Sequence, residues 1–195
     1  MKSDNTQIVY DTHRPKPRYP VIKEIRERFS PRFFTSDPVK KSDLDSILEA
    51  ARWAPSGHNW QPWYFYIAKK GTQAYTHIFS ALEGYNQSWA HTAPLFILAC
   101  YRTRNDEGEN EYAQYDLGAA TLSLILQAQS FGYYGRQMGL FDKKKMKALI
   151  PLEKDMEPKV VIALGKIGDF TKAPKEIIDM ESDPRPRKTK IAEEL

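Results

Sequence analysis

The chain has 195 residues, 41% hydrophobic and 28% charged, ordinary globular usage that argues against extended disorder and allows one domain with a sizeable core. A formal net charge of +4 is mild and suits an anionic small molecule as well as nucleic acid. The single cysteine, Cys100, excludes an internal disulfide and any multi-cysteine metal site. The apolar runs are too short to span a bilayer and the polar first twelve residues lack a secretory signal, so the expectation is a cytoplasmic protein with no membrane partner.

Residues 1–18 read as a loose leader, because Pro15 and Pro17 oppose helix. Tyr19 to Phe29 carries apolar residues at helical spacing, and Pro31 interrupts it. Ser42 to Trp53 is the clearest early helix, with Leu44, Ile47, Leu48 and Ala51 on one face and Ser42 and Asp45 in capping-box spacing. Trp63 to Ala68 is aromatic and β-branched and reads as a buried strand. A helix follows from Thr72 to Glu83, then a second buried strand from Leu95 to Tyr101. Residues 102–110 are charged and loop-like. Tyr112 to Phe131 is a long helix, apolar or small around most of its circumference, which requires burial on nearly all sides and in part by a second subunit.

Gly132 to Gly139 reads as a glycine-bearing loop and Lys143 to Leu149 as a short basic helix ended by Pro151. Val160 to Leu164 is a third strand, stopped by Gly165. From Phe170 onward no hydrophobic period is visible, so the tail needs an external surface to lie on. The irregular order of helices and strands favours α+β over a doubly wound fold.

Four constellations can carry chemistry, each beside an ordinary structural alternative. Arg28-Phe29-Ser30-Pro31-Arg32 sets two guanidinium forks around a hydroxyl, donors suited to phosphate; the alternative is a solvated helix end. Residues 54–63 (APSGHNWQPW) pack a hydroxyl, two amides and two indoles between a helix end and a strand, groups able to hydrogen-bond a heterocycle or simply to form a turn. Residues 135–142 (GRQMGLFD) let backbone N–H groups approach a ligand, or merely connect two elements. Pro184-Arg185-Pro186-Arg187-Lys188 is an extended basic segment, able to clamp a phosphate or to remain a solvated tail. The four histidines lack metal-ligand spacing, and there is neither a Walker A sequence nor GxGxxG.

Taken in order, RFSPRFF (28–34), APSGHNWQPWYF (54–65), NQSWAHTAP (86–94), YDLGAATLSLILQAQSFGY (115–133), MGLFD (138–142) and ALGKIGD (163–169) resemble the FMN-dependent nitroreductase family. The resemblance covers roughly residues 19–190. It implies an α+β three-layer sandwich, a central mostly antiparallel sheet flanked by helices, in an intertwined homodimer with FMN at the interface. Residues 19–169 are then one FMN-binding domain, and 170–195 a C-terminal extension wrapping the partner subunit.

By the same resemblance, Arg28 and Ser30 match the phosphate and ribityl side of FMN, with Phe29 between them where a polar residue is often found. Arg32 matches the basic residue at the flavin N1 and O2 edge. Pro55, Ser56, Gly57 and Asn59 match the segment lining the flavin from the other subunit, and Asn86 an amide on the pyrimidine ring. Gly139 and Leu140 match the loop whose N–H groups approach N5 and O4, and Arg185 and Arg187 the late basic pair on the phosphate. Trp89 stands where some members carry a second lysine, and Gly139 where some carry an acid. No side chain is expected to be an acid or base. Trp60, Trp89 and Phe141 are candidates for an acceptor pocket.

The implied activity is an FMN-dependent NAD(P)H oxidoreductase that reduces nitroaromatic, quinone or related small conjugated acceptors by ping-pong hydride transfer. The alternatives are another reaction on the same cofactor (dehalogenation, flavin or ring oxidation) and a non-enzymatic flavin-binding module. Nucleic-acid binding through the tail leaves the 54–63 segment unexplained, so no nucleic-acid partner is expected.

Overall fold

The computed structural model describes residues 5–13, 15–183 and 185–193. Residues 1–4 and 14 of the leader, and Pro184 of the tail motif, lie outside the described residues. The elements in chain order are α1 (Asn5–His13), α2 (Lys23–Glu27), α3 (Lys41–Arg52), β1 (Trp63–Lys69), α4 (Gln73–Ala81), α5 (Asn86–Ala90), β2 (Leu95–Arg102), β3 (Arg104–Asn105), β4 (Gly108–Glu109), α6 (Ala113–Ser130), β5 (Tyr134–Met138), α7 (Lys143–Leu149), β6 (Met156–Gly165) and α8 (Lys175–Glu181). A single 3-10 turn covers Gly57–Asn59.

The main sheet has the order β1-β2-β6-β5, every pair antiparallel. β2 and β6 lie at its centre. Their side chains alternate between two apolar layers, as the two-residue period of a strand requires. Phe96, Leu98, Cys100, Val161 and Ala163 face α4, α5, α7 and α8. Leu95, Ile97, Ala99, Ile162 and Leu164 face α3 and α6. The result is an α+β sandwich of three layers. Cys100 is fully buried, and that burial pushes its thiol up to about 12, so it packs as a small hydrophobe. None of the helices among the described residues is long and apolar enough to cross a membrane.

Five local expectations need correction. The leader contains a helix: α1 turns Val9 and His13 into the protein, where both are buried, and ends just before the prolines. The helix expected over 19–29 is only the five residues of α2. β1 is an edge strand whose residues are mostly half-exposed, not a buried one. The glycine-bearing stretch 132–139 is largely strand β5, which pairs with β6 on one side. Ser42 is not a cap, since α3 starts one residue earlier and Lys40 holds the cap position.

The cap of α3 comes from far away in sequence. The Tyr133 hydroxyl accepts from Lys40 N at 3.3 Å and donates to Asp43 Oδ2 at 2.9 Å. It thereby serves a free backbone donor and a first-turn carboxylate at once, the work a local Ser or Asp usually does. Tyr133→Phe removes only this hydroxyl from a ring that is 1% exposed. The expected cost is about 1 kcal/mol, read as a fall in Tm of roughly 2–4 °C; an unchanged Tm would show that α3 needs no such cap.

Candidate functional site

β5 carries a polar edge to the rim of the sheet, and the arginines gather beside it. Arg136 on β5 donates to the Ser30 carbonyl and lies over the Trp89 ring, 5.3 Å from its centroid. Arg32 donates from Nη1 to the Met180 carbonyl at 3.1 Å and to Glu181 Oε1 at 3.2 Å. Tyr85 sits beside both: Arg32 lies 5.7 Å from its ring centroid. Arg32 above all, with Arg136 adding and burial opposing, holds the Tyr85 phenol below its usual value.

Two clefts adjoin here. The first, about 320 Å³, is lined by His13, Ser30, Arg32, Arg136, Gln137, Met180, Asp183 and Arg185. The second, about 540 Å³, brings Lys16, Arg18, Arg28, Arg185, Arg187 and Lys188 together, with no acid among its described lining residues. Arg28, Arg32, Arg185 and Arg187 thus meet around one continuous region. The crowding registers electrostatically. Burial first and Arg187 second lower Arg28 from its ordinary value. Arg185 is lowered by burial foremost, with Glu181 opposing and Arg136, Arg32 and Arg28 adding to the shift. Arg26 and Lys190 stay apart, within 3.9 Å of Glu27 and 2.6 Å of Glu193 respectively.

Glu181 is the counter-charge. It is completely buried, and His13 Nε2 lies 2.9 Å from its Oε2. Burial by itself would raise this carboxyl, yet the contact with His13 and the charges of Arg32 and Arg136 hold it below the ordinary value. Even so, the positive groups are not saturated. Arg32 Nε and Arg185 Nη2 are buried donors with no hydrogen-bond partner among the described residues. Buried polar groups are nearly always satisfied, so two orphan guanidinium donors at a cleft mark a place for an anion.

The rim continues past β5. Asn86, the buried first residue of α5, donates from Nδ2 to the Leu140 carbonyl at 3.3 Å. Leu140 is half-exposed, and a Cβ built on Gly139 would meet nothing within 4 Å. Glycine is therefore not required there by packing, and the loop is open to approach. Phe29 is a core residue, stacked on His13 at 5.5 Å, so the 28–32 segment offers the side chains on either side of it. Of the aromatic acceptor-pocket candidates, Trp89 and Phe141 are buried in the core, and Trp60 stacks on His58 at 4.7 Å.

Pro55, Ser56, Gly57 and Asn59 are not part of this cluster. They precede β1, on the edge of the sheet opposite β5. Gly57 N donates to Asp116 Oδ2 at 3.2 Å and Ser56 Oγ accepts from Gln61 N at 3.1 Å. His13, Tyr85, Arg136 and Glu181 are site residues the sequence reading did not single out. Arg136 stood in a stretch read as loop, and nothing near Glu181 in sequence announces its partners.

Residues 25–166 match the model of the nitroreductase family. A Mycolicibacterium smegmatis protein, the uncharacterized 15.4 kDa protein in the ask 5′ region, is 33% identical over 130 residues, 63% of this chain and 88% of its own length. An Archaeoglobus fulgidus protein provisionally named an NADH dehydrogenase/NAD(P)H nitroreductase is 28% identical over 154 residues, 75% of this chain and 83% of that one. A solved structure described as the oxidoreductase containing FMN superposes with a TM-score of 0.83 at 31% identity, covering 92% of this chain and 93% of the other.

The buried carboxylate gives a pH prediction. A carboxyl depressed in the folded state adds stability that is present above its unfolded pKa, about 4.3 for glutamate, and is lost as pH falls through the folded value. Glu181→Gln removes that acid-sensitive contribution and strips Arg32 of its counter-charge, a loss of about 3–5 kcal/mol at neutral pH. Thermal unfolding followed from about pH 7 to about pH 3 is expected to start lower in the variant and to fall less steeply. Parallel curves would rule the carboxylate out as the acid-sensitive group.

Proposed function

The chain belongs to the nitroreductase family, and on that premise we propose that it binds FMN and works as a homodimeric NAD(P)H-dependent oxidoreductase of small conjugated acceptors. The observation that carries the reading is the arginine-lined cleft with two buried, unpartnered donors, Arg32 Nε and Arg185 Nη2. FMN fits that donor set: its phosphate carries about −1.5 to −2 charges near neutrality and suits the Arg185 guanidinium fork, and its pyrimidine carbonyl edge can accept from Arg32.

FMN, when bound, would supply the redox chemistry, accepting hydride from NAD(P)H and passing electrons on to an acceptor. The chain supplies position and charge. Arg28, Arg185 and Arg187 would hold the phosphate, with Ser30 beside them on the ribityl side. Arg32 would stand at the N1 and O2 edge, where two-electron reduction places negative charge, and its fixed cation would favour the reduced state. Glu181, tied to Arg32 at 3.2 Å, keeps that guanidinium in place. Asn86 supports the loop at 139–140 through the Leu140 carbonyl, so that the N–H groups of Gly139 and Leu140 can meet the N5 and O4 side. No side chain is assigned as acid or base.

Two features support a homodimer. The segment with Pro55, Ser56, Gly57 and Asn59 precedes β1, at the sheet edge opposite β5, and lines neither arginine cleft of its own chain. A second copy brings its own 55–59 segment to this chain's β5 edge. The long helix α6 also leaves an apolar stripe uncovered: Tyr115 is 80% exposed and Leu122 49%, a face that a partner subunit would cover.

An absorption spectrum before and after anaerobic NADH, then NADPH, tests the reading. Flavin bands that bleach with either nucleotide support a reductase, and bands that persist under both favour the non-enzymatic flavin module. Failure to bind added FMN overturns the proposal. Arg32→Met is expected to lower the midpoint potential of bound FMN, measured by equilibration with a reference dye; an unmoved potential would take Arg32 away from the N1 and O2 edge. Light scattering is expected to give twice the 22.5 kDa chain mass, and a monomer would leave the 55–59 segment without a role in the cofactor site.

A further inference from the structure

α1 lies outside residues 25–166, the stretch that matches the family model, yet its last residue enters the arginine region. His13 is 5% exposed and lines both clefts. Its ring stacks on Phe29 at an interplanar angle of 12°. On one side Nδ1 accepts from Arg185 Nε at 3.0 Å. On the other, Nε2 lies 2.9 Å from Glu181 Oε2, and Glu181 Oε1 accepts from Arg32. The groups form one sequence: Arg185, His13, Glu181, Arg32.

This order constrains both protons and geometry. An imidazole nitrogen that accepts carries no proton, so the ring proton sits on Nε2, facing the carboxylate. Nε2 and Glu181 Oε2 are in ion-pair range but without hydrogen-bond geometry, so it is the bond from Arg185 Nε that marks Nδ1 as the acceptor, and that acceptor fixes Arg185. A guanidinium tied back by Nε has its outer nitrogens free, and Nη2 of Arg185 is the buried donor left without a partner. The hydrogen bond is the one that holds Arg185 between the two clefts. No other described side chain accepts from Arg185 at hydrogen-bond distance.

We infer that His13 is a positioning residue for the cofactor's phosphate: it holds Arg185 by Nε so that the free edge of the guanidinium is presented to the phosphate of FMN. The inference rests on the FMN reading. It assigns to the N-terminal helix a share in cofactor affinity, exerted through Arg185 and without contact with the flavin ring. Riboflavin, which has the ring and ribityl chain but no phosphate, then separates this role from a structural one.

The test is a set of Kd values for FMN and for riboflavin, with the wild type, His13→Phe and His13→Asn. Phe keeps an aromatic ring to stack on Phe29 and loses both polar contacts. Asn offers an amide oxygen in place of Nδ1. His13→Phe is expected to weaken FMN about tenfold, the order of one charged hydrogen bond, and to leave riboflavin unchanged, while His13→Asn recovers FMN affinity. Retained riboflavin binding also shows that the variant is folded. Equal weakening of both ligands, no weakening of either, or no recovery by Asn would each overturn the inference while leaving the FMN reading standing. A wild type that binds neither ligand would overturn the reading itself, and this inference with it.

Discussion

The organisation of the site depends on one buried carboxylate. Arginine guanidiniums do not lose their charge inside proteins, so several of them in adjoining clefts repel one another. Two unit charges 4 Å apart interact by about 4 kcal/mol at an effective dielectric constant near 20. Glu181, with no exposed surface, opposes that repulsion from inside the cluster. It holds Arg32 directly and faces the ring of His13, which in turn holds Arg185. α8 exists at that place because Ile177 on the same helix is buried in the apolar layer that also contains Val9 and Phe29. Hydrophobic packing of α1 against α8 thus brings an imidazole up to a carboxylate, and those two groups set two arginines.

The sheet explains why the site lies at an edge. Its two central strands are apolar on both faces over 95–100 and 161–164 and keep their charged residues, Arg102, Glu157 and Lys159, toward the far end. β5 is different, with Arg136 and Gln137 in sequence and β6 as its one neighbour in the main sheet. An edge strand can afford polar side chains because one flank is open, and that flank is where the 28–32 segment crosses: the Ser30 carbonyl accepts from Arg136. A charged residue on an edge discourages pairing with a further strand and, here, also builds a cleft.

The elements legible from sequence were those whose local signal agrees with their tertiary setting. β2 and β6 appear as unbroken apolar runs because both faces are buried, and α3 shows its buried face at positions 44, 47 and 51. The edge strands were misjudged in opposite directions. Aromatic content made β1 look buried, though an aromatic side chain can lie half-exposed on an edge, and glycines made β5 look like a loop, though a strand tolerates them. The Tyr133 cap and the burial of His13 depend on residues about ninety and one hundred and seventy positions away, a separation that no local window reads. The arginines themselves were visible as two groups. That they share one region is a fact of tertiary structure, and Glu181, the group that makes sharing tolerable, has no signature in sequence.

The opposite edge carries its own physical clue. His58, Asn59 and Gln61 all have positive φ, at 49°, 57° and 47°. That region costs a residue with a Cβ roughly 1 kcal/mol or more and persists only where surroundings over-determine it. Asn and His are among the residues that tolerate it best; Gln has less local compensation. The bonds seen within the chain, Gln61 N to Ser56 Oγ and Gln61 Nε2 to the Asn59 carbonyl, tie the loop to itself and leave the Asn59 side chain without a hydrogen-bond partner among the described residues. Gly57 N, bonded to Asp116 Oδ2, anchors the loop to α6, and the Asn59 amide is left to bond something outside the loop. On the homodimer reading, that something is the ligand held at the β5 edge of the other copy. The strain and the arginine cleft are then two halves of one site, each incomplete where the single chain leaves it.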